Sequence, residues 1–200
     1  MFKIENQSEE IIISSLQNKE KCKSITHIHF APTVSPNVNL TKIINILNNK
    51  CPNIEIADLH AAHMTEENVA SFVKNRSNLL HLHVACPISD ACLTFISLTC
   101  KLTYLSLLDD YLVTDEGMEN LLSNNPKLTA LNLRGCSKLK GNFLKFLNKD
   151  VSELRITNTN IDSNLLKKYL PKFTKLVDLR ISNGKKRKKR VFDFNELKKI

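Results

Sequence analysis

The stretch "LTYLSLLDDYLVTDEGMENLLSNNPKLTALNL" (residues 102–133) contains one pattern twice. Leu102, Leu105 and Leu107 stand as Leu-x-x-Leu-x-Leu, and Leu128, Leu131 and Leu133 repeat that spacing. Alternating apolar residues at the end of each copy read as a short strand with one buried face. Between the copies, "TDEGMENLLSN" begins with a capping-type Thr114-Asp115 and sets Met118, Leu121 and Leu122 on one side of a helix. A strand of four or five residues and a helix of about ten bury little by themselves, whereas stacked copies share a continuous core.

The same frame extends in both directions. It is filled by Ile25, Ile28 and Phe30; by Leu79, Leu82 and Val84; by Val151, Leu154 and Ile156; and by Leu176, Leu179 and Ile181. Between residues 51 and 64 two frames compete, Ile54-Ala57-Leu59 or Ile56-Leu59-Ala61, and both turn Asp58 and His60 outward. Helical spacing follows at 40–49, 65–75, 89–98, 141–148 and 162–170. The expected fold is an α/β solenoid of seven strand-helix units with a parallel concave sheet. Residues 1–20 read as an N-terminal cap, in which Ser8, Glu9 and Glu10 start a helix running through Leu16. Residues 21–184 carry the repeats, and 185–200 read as a basic loop and a final helix from Asp193.

Val113-Thr114-Asp115, Gly117-Met118, Pro126, the three leucines and Cys136 of the second copy, with "CKSI" at 22–25 and "CPNI" at 51–54, resemble leucine-rich repeat proteins. The resemblance is to the cysteine-containing subtype found in F-box substrate receptors and Amn1-like proteins, and it covers roughly residues 20–182. It implies a horseshoe solenoid that binds another protein and a relation to substrate selection by ubiquitin ligases. An F-box needs a longer helical segment ahead of the repeats than the roughly twenty residues here, so none is recognised.

Composition narrows the classes. With 42% hydrophobic residues in 200, the chain suits one folded domain rather than a disordered segment. No apolar run reaches membrane-span length and no secretory signal opens the chain, so an intracellular protein, cytoplasmic or nuclear, is expected, with six free thiols. The net charge is +9, but residues 185–200 hold eight Lys/Arg against two Asp/Glu, leaving the body almost neutral. A spread basic face is therefore not expected, and nucleic acid is not the favoured partner. The run Lys185, Lys186, Arg187, Lys188, Lys189 and Arg190 reads as a nuclear import signal, a solvated loop or a polyanion contact.

Residues between the core leucines face the open side of the sheet. In the second of the two frames His29, His60 and His83 form adjacent rungs, with Asp58 near His27 and His81. Such rings admit a metal site or a proton-sensitive face, although contact with a partner is the plainer use of exposed imidazoles. Tyr104, Asp109, Arg134, Arg155 and Arg180 are the expected protein contacts, because tyrosine and arginine bring large area and rigid hydrogen-bond forks. No catalytic residue and no cofactor are expected. The four glycines are dispersed, and Cys86 beside His83 runs into a turn at Pro87.

Overall fold

The computed structural model describes residues 1–182 and 190–191. Its strands form one sheet in strict chain order: β1 (Phe2–Ile4), β2 (His27–Phe30), β3 (Ile56–Leu59), β4 (His81–Val84), β5 (Tyr104–Leu107), β6 (Ala130–Asn132), β7 (Glu153–Thr157) and β8 (Asp178–Ser182) are parallel. A ninth strand, β9 (Arg190–Val191), pairs antiparallel with β8. Parallel strands joined through helices make every unit turn the same way, and the result is a leucine-rich repeat solenoid.

Helices α1 (Glu9–Ser15) and α2 (Lys19–Lys23) precede β2, and α3 (Leu40–Lys50), α4 (Glu66–Val73), α5 (Asp90–Thr99) and α6 (Asp115–Asn124) link the next five strands. Asn39, Thr65 and Ser89 cap α3, α4 and α5 through side-chain oxygens that accept from the third residue on. Thr114 lacks that bond, contrary to its capping-type appearance; its hydroxyl donates to Asp90 of the preceding unit instead. The unit between β6 and β7 carries a 3-10 helix, Asn142–Phe146, where an α-helix was expected, and α7 (Ser163–Tyr169) precedes β8.

The leucine frame lies inside the solenoid: Leu102, Leu105, Leu107, Leu128, Leu131 and Leu133 are all fully buried. Phe30, Phe72, Phe143 and Phe173 are the largest buried side chains. All six cysteines are buried and free. Ile54, Ala57 and Leu59 are fully buried while Ile56 is partly exposed, which selects the first of the two frames. The N-terminal cap adds the helix expected after Ser8, together with α2 and an eighth parallel strand, β1, that the sequence pattern did not suggest.

Polar side chains tie unit to unit. Asp110 is fully buried and accepts the N–H groups of Ile88, Leu112 and Val113. Asp115 accepts those of Lys140, Gly141 and Phe143. Arg76 is 4% exposed, and its guanidinium donates to the carbonyls of Phe72 and Cys51 and to Asn48 Oδ1, with its plane over the Phe72 ring. Burial lowers the Arg76 pKa to about 10, still far above neutrality.

Candidate functional site

Register fixes the concave surface. One row across the sheet runs Lys3, His29, Asp58, His83, Ser106, Asn132, Arg155 and Arg180. The row beside it runs His27, Ile56, His81, Tyr104, Ala130, Glu153 and Asp178. Asp58 therefore occupies the rung expected for His60, and His60 follows β3 two residues further on. The sequence leaves this choice open because Ala57 and Ala61 are both small and apolar and satisfy either frame.

At the N-terminal end, one carboxylate gathers three imidazoles. Asp58 Oδ2 lies 3.0 Å from His27 Nε2 and 3.3 Å from His29 Nδ1, and Oδ1 lies 3.8 Å from His83 Nδ1. Burial alone would raise the Asp58 pKa, but the hydrogen bonds to His27 and His29 overcome it and hold the carboxyl below its ordinary value. The His60 ring leans back over this cluster, 6.2 Å from His29 and 3.9 Å from His83 between centroids. Burial lowers the His60 pKa, and burial plus the neighbouring His60 lower that of His83 to about 4. The His60 and His83 Nε2 atoms are buried and make no hydrogen bond among the described residues.

His60 and His83 meet edge on face, at 87° between planes. Ligand nitrogens must aim their in-plane lone pairs at one point, and an edge-on-face contact does not do so. Among the described residues, no group of three or more His, Cys, Asp or Glu stands in metal-binding positions. His81 lies beside Tyr104, with ring centroids 5.7 Å apart, while His63 leaves the face and contacts the Val38 carbonyl at 3.1 Å.

The centre of the face is shallow in chemistry. Ser106 is fully buried and accepts from Asn132 Nδ2 at 3.0 Å, beside the small Ala130. The C-terminal end is ionic. Arg155 reaches Asp178 Oδ2 through Nε at 3.1 Å and Nη2 at 2.7 Å, and its Nε lies 3.0 Å from Glu153 Oε1 without hydrogen-bond alignment. Arg180 Nε donates to the other Asp178 oxygen at 3.1 Å. Burial opposes the Arg155 charge, but Asp178 and Glu153 outweigh it and raise the guanidinium pKa further.

Of the residues expected to contact a partner, Tyr104, Arg155 and Arg180 lie on the concave face, whereas Asp109 and Arg134 lie on the rim where strands end. These two are joined, since the Asp109 N–H donates to the Arg134 carbonyl at 2.8 Å. Arg155 is already held inside the protein by two carboxylates; Arg180, 58% exposed, is the more available arginine. No hydrogen bond joins Cys86 to His83 among the described residues, and burial pushes the Cys86 thiol up to about 11. The run 185–189 and the helix expected from Asp193 lie outside the described residues, and Arg190 begins β9. No helix among the described residues is long and apolar enough to cross a membrane.

No protein-family model matches the sequence, and no curated protein matches it either. Solved structures do share the fold. A chain in the crystal structure of the yeast Rad7–Elc1 complex superposes with a TM-score of 0.51 at 17% identity, over 82% of this chain and 52% of that one. The leucine-rich repeat-containing protein LegL7 from Legionella pneumophila gives a TM-score of 0.52 at 15% identity, over 91% of this chain and 63% of that one. This chain thus spans about half to two thirds of the length of these neighbours, and the likeness is one of fold.

Proposed function

We propose that the protein is a non-enzymatic interaction module whose concave sheet receives another protein. The observation that carries this reading is the open parallel sheet itself, whose exposed rows pass from imidazoles and Tyr104 to the Arg155-Asp178-Arg180 network. A face of this kind offers aromatic and guanidinium contacts for a protein surface, with no cover among the described residues to exclude water for catalysis. Tyr104 and Arg180 are the leading contacts, with Asp109, Arg134 and Arg155 around them.

The sequence resemblance to F-box substrate receptors supports a narrower role, recognition of a substrate for a ubiquitin ligase. The basic run 185–190 supports nuclear import of this module. Affinity capture from cell lysate tests the reading with the parent chain and a Tyr104→Ala/Arg180→Ala variant of equal thermal stability. Selective loss of one protein is expected, and capture of the same proteins by both overturns the concave-face assignment.

A second reading rests on the Asp58 cluster. Four imidazoles packed around one carboxylate make the N-terminal end a proton-sensitive part of the same face. Partner affinity measured at pH 7.5 and at about pH 4 checks it; identical affinities in the parent, and in a His60→Gln/His83→Gln variant, remove the idea.

A further inference from the structure

The near-neutral charge of the repeat body conceals a separation that only the fold reveals. Every parallel strand starts at one edge of the solenoid, and the turns that lead into β2 through β8 all lie along that edge. A lysine stands in each of these seven turns or at the last helical residue before it: Lys23, Lys50, Lys74, Lys101, Lys127, Lys149 and Lys175. Over the segments 19–26, 50–55, 73–80, 99–103, 124–129, 147–152 and 170–177 there are eleven Lys/Arg and three Asp/Glu. Over the opposite edge, 5–10, 31–42, 60–67, 85–90, 108–116, 133–142 and 158–163, there are four Lys/Arg and eleven Asp/Glu.

Helix dipoles explain where the signs go but not what is left over. All helices run the same way, so basic residues suit their C-terminal edge and acidic residues their N-terminal edge. The acidic edge spends much of its charge internally: Glu9 takes the Asn39 N–H and the Lys42 amine, Glu66 takes the Ser89 hydroxyl, and Asp90, Asp110 and Asp115 take backbone N–H groups of neighbouring units. The lysine row is different. Lys23 pairs with Glu20, Lys50 with the Leu16 carbonyl and Gln17, and Lys175 with Asp150, while Lys74, Lys101, Lys127 and Lys149 are exposed and contact no partner among the described residues.

We infer that this edge is a docking surface for the backbone of duplex nucleic acid, separate from the concave face. At about 4.8 Å per strand the row extends roughly 29 Å, close to one turn of B-DNA. A single file of flexible ammonium groups suits a linear polyanion, because each lysine neutralises phosphate as a point charge without reading sequence. Phe146 is a lone exposed aromatic ring beside this edge among the described residues, too few to stack successive single-stranded bases, which favours a duplex. The exposed apolar residues there, Leu80, Leu98 and Val177, are scattered over distant units rather than gathered into a wedge for a bilayer.

Fluorescence anisotropy with a labelled 20-base-pair DNA duplex across a salt series tests this in the full chain. Lys101→Glu/Lys127→Glu/Lys149→Glu is compared with Lys42→Glu/Lys138→Glu/Lys140→Glu, which makes the same net change on the opposite edge. Both triples are repeated in a full-length background with the Lys and Arg of 185–190 changed to Gln. The first triple should weaken binding at least tenfold and flatten the salt slope by about two to three, at 0.9 per phosphate contact, while the second changes affinity less than threefold. Equal weakening by both triples, loss of all binding in the Gln background alone, or binding to phosphatidylserine vesicles without binding to the duplex overturns the assignment. Protein capture on the concave face is read separately, so either result leaves that measurement intact.

Discussion

His60 and His83 meet edge on face, 3.9 Å between ring centroids, although register puts them on different rungs of the sheet. Their contact disfavours a proton on either ring, since it would sit half-buried beside the other. The folded chain thus resists protons that the unfolded chain accepts near the ordinary histidine value of about 6.5. Between that value and the His83 pKa of about 4, the unfolded state binds more protons, so stability falls as the pH falls. Asp58, held below its ordinary value, extends the loss at still lower pH. Urea unfolding should show full stability above about pH 6.5 and a decline of roughly 2–3 kcal/mol by pH 4. His83→Gln should flatten that decline, and an unchanged slope in the variant would count against the assignment.

Asp58→Asn keeps the shape of the cluster and removes its charge. The His27 and His29 nitrogens lose a charged acceptor, at a cost of about 1–2 kcal/mol at pH 7. Because the Asp58 charge holds the His60 and His83 pKa values up, both should titrate still lower in the variant. Ring-proton NMR across pH 4–8 reads this directly, and an upward move of either histidine contradicts the geometry.

Arg76 is a buried cation satisfied by carbonyl oxygens, with no carboxylate among its hydrogen-bond partners. Arg76→Met keeps the packing of the stem over Phe72 but strands the Phe72 and Cys51 carbonyls, and should cost about 3 kcal/mol or more. Arg76→Lys should recover only part of this, because an ammonium cannot span three acceptors from one plane. Equilibrium denaturation distinguishes the two, and equal stabilities for Met and Lys variants would show that the fork geometry is unimportant.

Gly135 has φ +80°, and a Cβ placed there would stand 2.1 Å from Asp109 Oδ1 and 2.8 Å from Asp109 Cα. Asp109 and Asn158 fill the same place in neighbouring units, at φ 53° and 58°. Gly135→Ala should therefore cost about 1–3 kcal/mol through backbone strain and the close approach. Thermal unfolding checks the cost, and the Asp109 and Arg134 amide signals should shift with it.

The solenoid was legible because leucine spacing carries both the strand and its inward face, and Leu102 through Leu133 state it twice. Four things were not. Phe2-Lys3-Ile4 is too short to show a period, so β1 emerges only as the partner of β2. Ala57 and Ala61 are equivalent in a hydrophobicity pattern, and only packing decided that Asp58, not His60, stands between His29 and His83. The edge lysines vanish in a net charge, since Glu66, Asp90 and Asp115 cancel them in any sum that ignores where strands begin. Arg76 gave no warning either, because an arginine in a polar turn looks exposed until its three acceptors are in place.

The 3-10 helix at Asn142–Phe146 sets the contour that a partner meets. A solenoid bends because packed α-helices need about 8–10 Å between axes while strands need only about 4.8 Å. A 3-10 segment is slimmer than an α-helix and relaxes that mismatch where it occurs. The mismatch is accordingly smaller between β6 and β7 than between strands joined by α-helices. The stretch of sheet beside Arg155 is thereby the one with the least packing reason to curve.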